Sequence, residues 1–278
     1  MTFLFSLLAM LMLGLTHFVN GMALKYTPAI QVAFFTHLGG AFIGFFLAFF
    51  FSMWQRDVIW WGIVAGAGSA WGAIFLYKGL SMAPFSVVVP LSSVSMMVMA
   101  ILLSVIFLLE FPSLIMIAGV ALAVPSLWLI TGGRGVSGLR KSGASWGVVY
   151  GLGAGMGFAI QLHGLGQVED AMALYATAIG MMIGSCFLIP FAKIKERAGV
   201  RFVVPFLAGG ISVTGLALYV LSRQGQAVFA SIIIVSLYPL VPVCLGAYVK
   251  NEKIEIKRKL GIFLSLLTTS LIALGNEV

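Results

Sequence analysis

Residues 68–133 of this chain return at 210–275, shifted by 142 positions without a gap. Gly68, Leu76, Tyr77, Leu103, Glu110, Gly119, Leu129, Ile130 and Gly133 recur as Gly210, Leu218, Tyr219, Leu245, Glu252, Gly261, Leu271, Ile272 and Gly275. A polar Tyr, a lone Glu and three Gly belong to the shared set, so common apolar composition does not explain it. Each copy holds an odd number of apolar spans. Two such copies in one membrane chain must lie upside down relative to each other, as in many carriers that open alternately to two faces.

The chain is 61% hydrophobic and 9% charged, with mean hydropathy +1.12. Those values belong to multi-span membrane proteins and exclude a soluble globular domain. Crossing the hydrocarbon layer takes roughly 20 apolar residues. Ten such stretches fit: about 3–22, 30–52, 58–81, 85–108, 112–132, 145–165, 171–192, 202–222, 226–249 and 258–275. The fold expected is an all-α membrane protein of ten transmembrane helices in two inverted five-helix repeats. A membrane barrel is excluded, because its strands alternate apolar and polar and these runs do not. The first span lacks a basic leader and a small-residue cleavage site, so it reads as a retained helix. Cys186 and Cys244 lie inside spans and read as small packing residues without a disulfide.

A net charge of +8 invites a nucleic-acid reading. The basic residues are instead scattered through short loops, which is the pattern of the positive-inside rule. Loops after odd-numbered spans carry 13 Lys and Arg, and loops after even-numbered spans carry only Arg56 and Arg223. Odd loops are therefore expected in the cytoplasm and both termini on the opposite side. Residues 132–145 are Gly- and Ser-rich, carry three positive charges and divide the spans five and five. The domain reading is a first repeat at 1–134, a basic cytoplasmic linker at 135–144 and a second repeat at 145–278. Gly40/Gly44, Gly180/Gly184 and Gly68/Gly72 are small residues four apart, the spacing that lets membrane helices approach closely. Pro90, Pro239 and Pro242 lie in paired helices of the two copies, where a missing N–H bends the helix.

The stretch Tyr77-Lys78-Gly79-Leu80-Ser81-Met82-Ala83-Pro84, then Pro90, then Ser104 to Glu110 through a leucine-rich run, then Gly119, resembles the EamA-type pattern of the drug/metabolite transporter superfamily. The second copy is similar at Tyr219, at Leu245 to Glu252 and at Gly261, and departs from the pattern at Asn251. The resemblance covers nearly the whole chain. It implies a ten-helix carrier whose helices 1, 3, 4, 6, 8 and 9 surround a central cavity, with helices 5 and 10 outside. It also implies movement of small metabolites or toxic compounds, among which amino acids, sugars, nucleotide-linked sugars and drugs remain open.

The acidic residues all fall in loops or at helix ends, so exchange of a proton for a cation at a buried carboxylate is not expected. His17, His37 and His163 are the titratable groups most easily protonated inside spans. His17 and His163 rank first because each lies on the first helix of a copy. Asn20 follows His17 on one helix face, whereas Gln161 and His163, two apart, point in different directions. Trp71, Tyr77 and Lys78 on helix 3 and Tyr219 on helix 8 could stack a flat substrate or attract its charge. They could equally be interfacial belts and snorkelling groups. Trp54, Trp60 and Trp61 read as belt residues. Ser92, Ser93 and Met96 on helix 4, with Ser231, Ser236 and Tyr238 on helix 9, complete the candidate substrate contacts.

The chain carries no P-loop, no metal-ligand spacing and no catalytic triad. Enzyme activity, metals and cofactors are not expected. The expected function is secondary transport, by alternating access, of a small polar, amino-acid-like metabolite or drug, outward across a bacterial cytoplasmic membrane. Sugar or solute uptake, flipping of a lipid-linked group and a non-transporting scaffold are the alternatives. The partners expected are a small-molecule substrate and membrane lipid, not nucleic acid. Homodimer and monomer both fit.

Overall fold

The computed structural model describes residues 2–103, 106, 113–130, 145–192, 202–222, 234–235, 237–249, 251 and 254–275. The expected linker, Ser231, Ser236, Arg223, Glu110 and Glu252 lie outside them. The described residues are helical nearly throughout. The helices are α1 (Thr2–Ala23), α2 (Ala29–Phe51), α3 (Asp57–Met82), α4 (Phe85–Leu103), α5 (Leu114–Ile130), α6 (Ser145–Gly166), α7 (Ala173–Ala192), α8 (Val203–Ser222), α9 (Leu240–Val249) and α10 (Ile256–Gly275). A single 3-10 turn at Asp170–Met172 leads into α7. Among the described residues, six helices are long and apolar enough to cross a bilayer: α1, α2, α3, α6, α7 and α8. Shorter apolar helices lie within Phe85–Met99 and Leu240–Val249.

Apolar side chains cover the outside as well as the core. Phe42, Phe46, Phe49, Phe50 and Phe51 on α2, and Phe187, Ile189 and Phe191 on α7, are all exposed. A surface of that kind is stable against lipid and not against water. Cys186 and Cys244 are free thiols on this outer surface, not packing residues of the core. Their helices are apolar on every side, so the sequence offers no stripe from which to read the inward face. Trp54 and Trp60 are exposed, as belt residues should be, but Trp61 is half-buried and packs against the core.

Packing is reciprocal between the two halves. α1 packs on α8 and α6 packs on α3; α2 packs on α8 and α7 on α3; α2 packs on α7 and α5 on α10. Exchanging first-half helices for their second-half counterparts returns the same set of pairs. Glycines set the directions at these seams. A methyl built on Gly44 would stand 3.0 Å from Ala178 Cβ, one on Gly40 3.0 Å from Met181 Cγ, and one on Gly184 2.8 Å from His37 Nε2. Residue numbers rise on α2 as they fall on α7, so these corresponding helices run antiparallel. α3 and α6 are also antiparallel, with Gly79 beside Tyr150, Gly68 beside Gly157 and Ala65 beside Gly164. α5 and α10 pack chiefly on each other and on α4, where Ser126 Oγ donates to Gly261 O at 3.3 Å.

Pro90 lies inside α4. Pro239 and Pro242 have a larger local effect. Neither carries an N–H, and the chain at the start of α9 closes through four-residue turns. Tyr238 N–H donates to Val235 O at 3.0 Å and Val241 N–H to Tyr238 O at 3.2 Å. This irregular stretch carries Tyr238 into the centre of the bundle.

Candidate functional site

Where the reciprocal seams meet, a cavity of about 50 Å³ remains. A water needs roughly 10–15 Å³ of such space, so the cavity has room for a few waters and not for a metabolite. α1 contributes His17, α2 Thr36 and His37, α3 Ser69 and Tyr77, and α4 Met96. The second half contributes Phe158 and Gln161 from α6, Met181 from α7, Ser212 from α8 and Tyr238 from the stretch ahead of α9. Among the described residues, no Asp, Glu, Lys or Arg lines it. α2 and α7 thus join the six helices that the resemblance assigned to the cavity wall.

His17 is the hub of the aromatic lining. Its ring centroid lies 6.3 Å from Tyr77, 5.5 Å from Phe158 and 5.3 Å from Tyr238. One of those rings comes from the first half and two from the second. His17 Nδ1 is buried without a hydrogen-bond partner. One turn further along α1, Asn20 is fully buried. Its Nδ2 donates to Tyr77 Oη at 2.6 Å, and its Oδ1 has no partner. Buried polar atoms are seldom left unpaired; of these two, His17 Nδ1 belongs to a residue of the cavity wall, whereas Asn20 does not line the cavity and reaches it only through Tyr77.

The hydroxyls around the cavity have assignable roles. Ser92 Oγ donates its one proton to Val89 O at 2.8 Å. At 3.0 Å the Tyr238 hydroxyl must then donate to Ser92 Oγ, which leaves Tyr238 Oη able to accept. Tyr77 Oη accepts from Asn20, so its own proton is available toward the cavity. His37 is fully engaged: Nδ1–H donates to Ala33 O at 2.8 Å and Nε2 accepts from Ser69 Oγ at 2.9 Å. A carbonyl can only accept, which fixes the proton of neutral His37 on Nδ1. The glycine at 184 gives this ring its space.

The other sequence candidates stand elsewhere. Trp71 is 49% exposed. Its indole N–H donates to Gly153 O at 3.1 Å, and its ring stacks on Phe75 at 4.9 Å. The helical repeat places Tyr77 about 120° around α3 from Trp71, so one faces in and the other out. Lys78 lies nearly under Trp71 and is half-buried away from the cavity. Gln161 faces the cavity; His163, two residues on, is half-buried outside it. Ser93 and Tyr219 are buried but do not line it.

The Asn20–Tyr77 bond makes a stability prediction. Tyr77→Phe strands the buried Nδ2 and should cost about 1–3 kcal/mol. Asn20→Leu should cost less, because it removes an unpaired oxygen too, and the pair of changes together should recover part of the Tyr77→Phe loss. Thermal unfolding of the four proteins in one detergent measures this cycle. Strict additivity would mean that the bond does not form.

A sequence model of the EamA-like transporter family matches residues 1–132 and again residues 141–274. The chain belongs to the EamA-like transporter family. Membership makes it an integral, multi-pass membrane protein and places it with transporters of the drug/metabolite superfamily. The two matches leave out only the basic linker and the last residues, so each EamA-like unit corresponds to one copy of the repeat. A solved crystal structure aligns with 98% of this chain and 96% of its own at TM-score 0.67 and 12% identity, which is a likeness of fold. No curated protein matches the chain.

Proposed function

We propose that this EamA-like protein is a secondary carrier that moves a small, polar, amino-acid-like metabolite outward across a bacterial cytoplasmic membrane by alternating access. In this reading ten helices span the bilayer, and residues 1–134 and 145–278 are two repeats of opposite orientation. The antiparallel α2–α7 pair and the reciprocal seams support that arrangement. The basic linker at 135–144 faces the cytoplasm, which follows from the positive-inside bias.

The observation that carries the proposal is the cavity at the meeting of both halves, with the unpaired Nδ1 of His17 in its wall. Among the described residues, its walls offer imidazole, amide and hydroxyl groups and no formal charge. A solute of zero net charge can enter such a site without leaving an uncompensated buried charge. The space of about 50 Å³ corresponds to a closed state, from which the seams part to admit substrate.

The test is exchange by purified protein in liposomes, run against a panel of amino acids and sugars with and without a pH gradient. Counterflow of at least one neutral amino acid is expected. Sugar exchange alone would move the assignment to the solute-uptake alternative. Translocation of a labelled lipid without solute exchange would make the protein a flippase. Absence of all three activities would sink the carrier reading.

A further inference from the structure

A second cavity of about 350 Å³ lies against the C-terminal end of α1. Its apolar wall includes Val19 and Met22 on α1 and Val204 in the first turn of α8, and its rim includes Lys25, Tyr26 and Thr27. It is larger than the central cavity and is separate from it in lining. It also breaks the reciprocity of the fold. At the corresponding end of the α3–α6 seam the helices touch, and a methyl on Gly164 would meet Ala65 N at 3.0 Å and Trp61 O at 3.2 Å. The α1–α8 seam is close at Thr16, whose Oγ1 is 3.4 Å from Ala208 O. Beyond that point the groove lies between the end of α1 and Val204.

The groove opens toward lipid. Leu11, Leu15 and Met22 follow one another at intervals of four and seven, so they share one face of α1. Leu11 and Leu15 are exposed on that face, and Tyr26 is exposed in the turn that follows the helix. The floor is hydrocarbon. The rim, at the helix end, holds an ammonium group that lies 5.3 Å from the Tyr26 ring centroid. Among the described residues, no carboxylate lines the groove to neutralise that charge. Lys25 belongs to the positively charged loops assigned to the cytoplasmic leaflet, the leaflet in which anionic lipids create a negative surface potential.

We infer that this groove is a binding site for one anionic phospholipid, with an acyl chain against Val19, Met22 and Val204 and the phosphate of the headgroup at Lys25. The occupant would fill the space between the end of α1 and Val204. The site is independent of the transported solute.

The test puts a photo-crosslinking residue at Met22 of the full chain, in phosphatidylcholine vesicles containing phosphatidylglycerol as a minor component. A second protein carries the crosslinker at Phe46, on the exposed face of α2. Mass spectrometry then reads the lipid class of each adduct. Adducts at Met22 should be enriched in phosphatidylglycerol about fivefold over its share, the weight of one Lys near an anionic surface. Adducts at Phe46 should follow bulk composition. Lys25→Gln should abolish the enrichment and Lys25→Arg should keep it. Adducts at Met22 that mirror the bulk, or enrichment that survives Lys25→Gln, would overturn the inference. Loss of the enrichment on adding inorganic phosphate, but not chloride at equal ionic strength, would assign the groove to a free anion and overturn it as well. None of these outcomes bears on solute exchange, so this site and the carrier reading fail separately.

Discussion

Gly157→Leu is expected to abolish recovery of folded protein, while Gly180→Ala leaves stability unchanged or raised. Both glycines lie in apolar helices and both read as packing residues in the sequence. Their surroundings differ. A methyl at Gly157 would lie 2.6 Å from Gly68 O and 2.7 Å from Gly72 Cα. Those atoms are backbone, so no rotamer change can make room. Three glycines bring α3 and α6 together there, and in lipid such close packing supplies the attraction that the hydrophobic effect supplies in water. Even Gly157→Ala should cost about 3 kcal/mol, the upper part of the range for overpacking. Leucine would hold the two helices apart along the seam. At Gly180 the nearest atom to an added methyl is Gly62 O at 3.5 Å, an ordinary contact. Alanine there gains up to about 1 kcal/mol of helix propensity. Size-exclusion profiles and thermal unfolding in detergent separate the two cases. A monodisperse, cooperatively unfolding Gly157→Leu protein would show that α3 and α6 do not meet backbone to backbone.

That contrast marks what the sequence makes legible. Helix limits are written in it, because an apolar run ends where charge or proline begins. The expected 145–165 and 202–222 lie within about a residue of α6 and α8, an error smaller than one helical turn. The repeat is also written there, since its shared Tyr and Glu are rare in apolar helices. The inward face of each helix is not. Helices bathed in lipid are apolar all round, so no stripe separates core from surface. Trp71 and Tyr77 were therefore indistinguishable as cavity candidates until the turn of α3 placed one outside and the other inside. The same blindness hid Thr36, Ser69 and Ser212, single hydroxyls in apolar runs. It ranked His163 above His37, although His37 meets Ser69 in the cavity wall and His163 does not line it. A usable signal existed for His37: the small residue Gly184 on the partner helix α7 leaves room for a large side chain opposite it. For Tyr238 the paired prolines after it were the signal.

The histidines give the sharpest functional expectation. His17→Ala and His17→Gln should each reduce solute exchange in liposomes by about tenfold or more, the cost of losing one buried polar contact to a substrate. His163→Ala should change it by no more than about twofold, as expected for a side chain outside the site. The ground for the difference is placement. His17 contacts rings from both halves, with Tyr77 on one side and Phe158 and Tyr238 on the other. It also brings an unpaired nitrogen to the point where the halves meet. His163 shares α6 with Gln161, but the helical turn carries it away from the cavity. Alanine at position 17 also removes packing, so the glutamine variant, close in size and still polar, isolates the role of the imidazole. Thermal unfolding should change little in His17→Gln while exchange falls. Unchanged exchange in both His17 variants would remove His17 from the mechanism. An equal loss in His163→Ala would place the substrate path on the other side of α6, away from the seam where the two repeats meet.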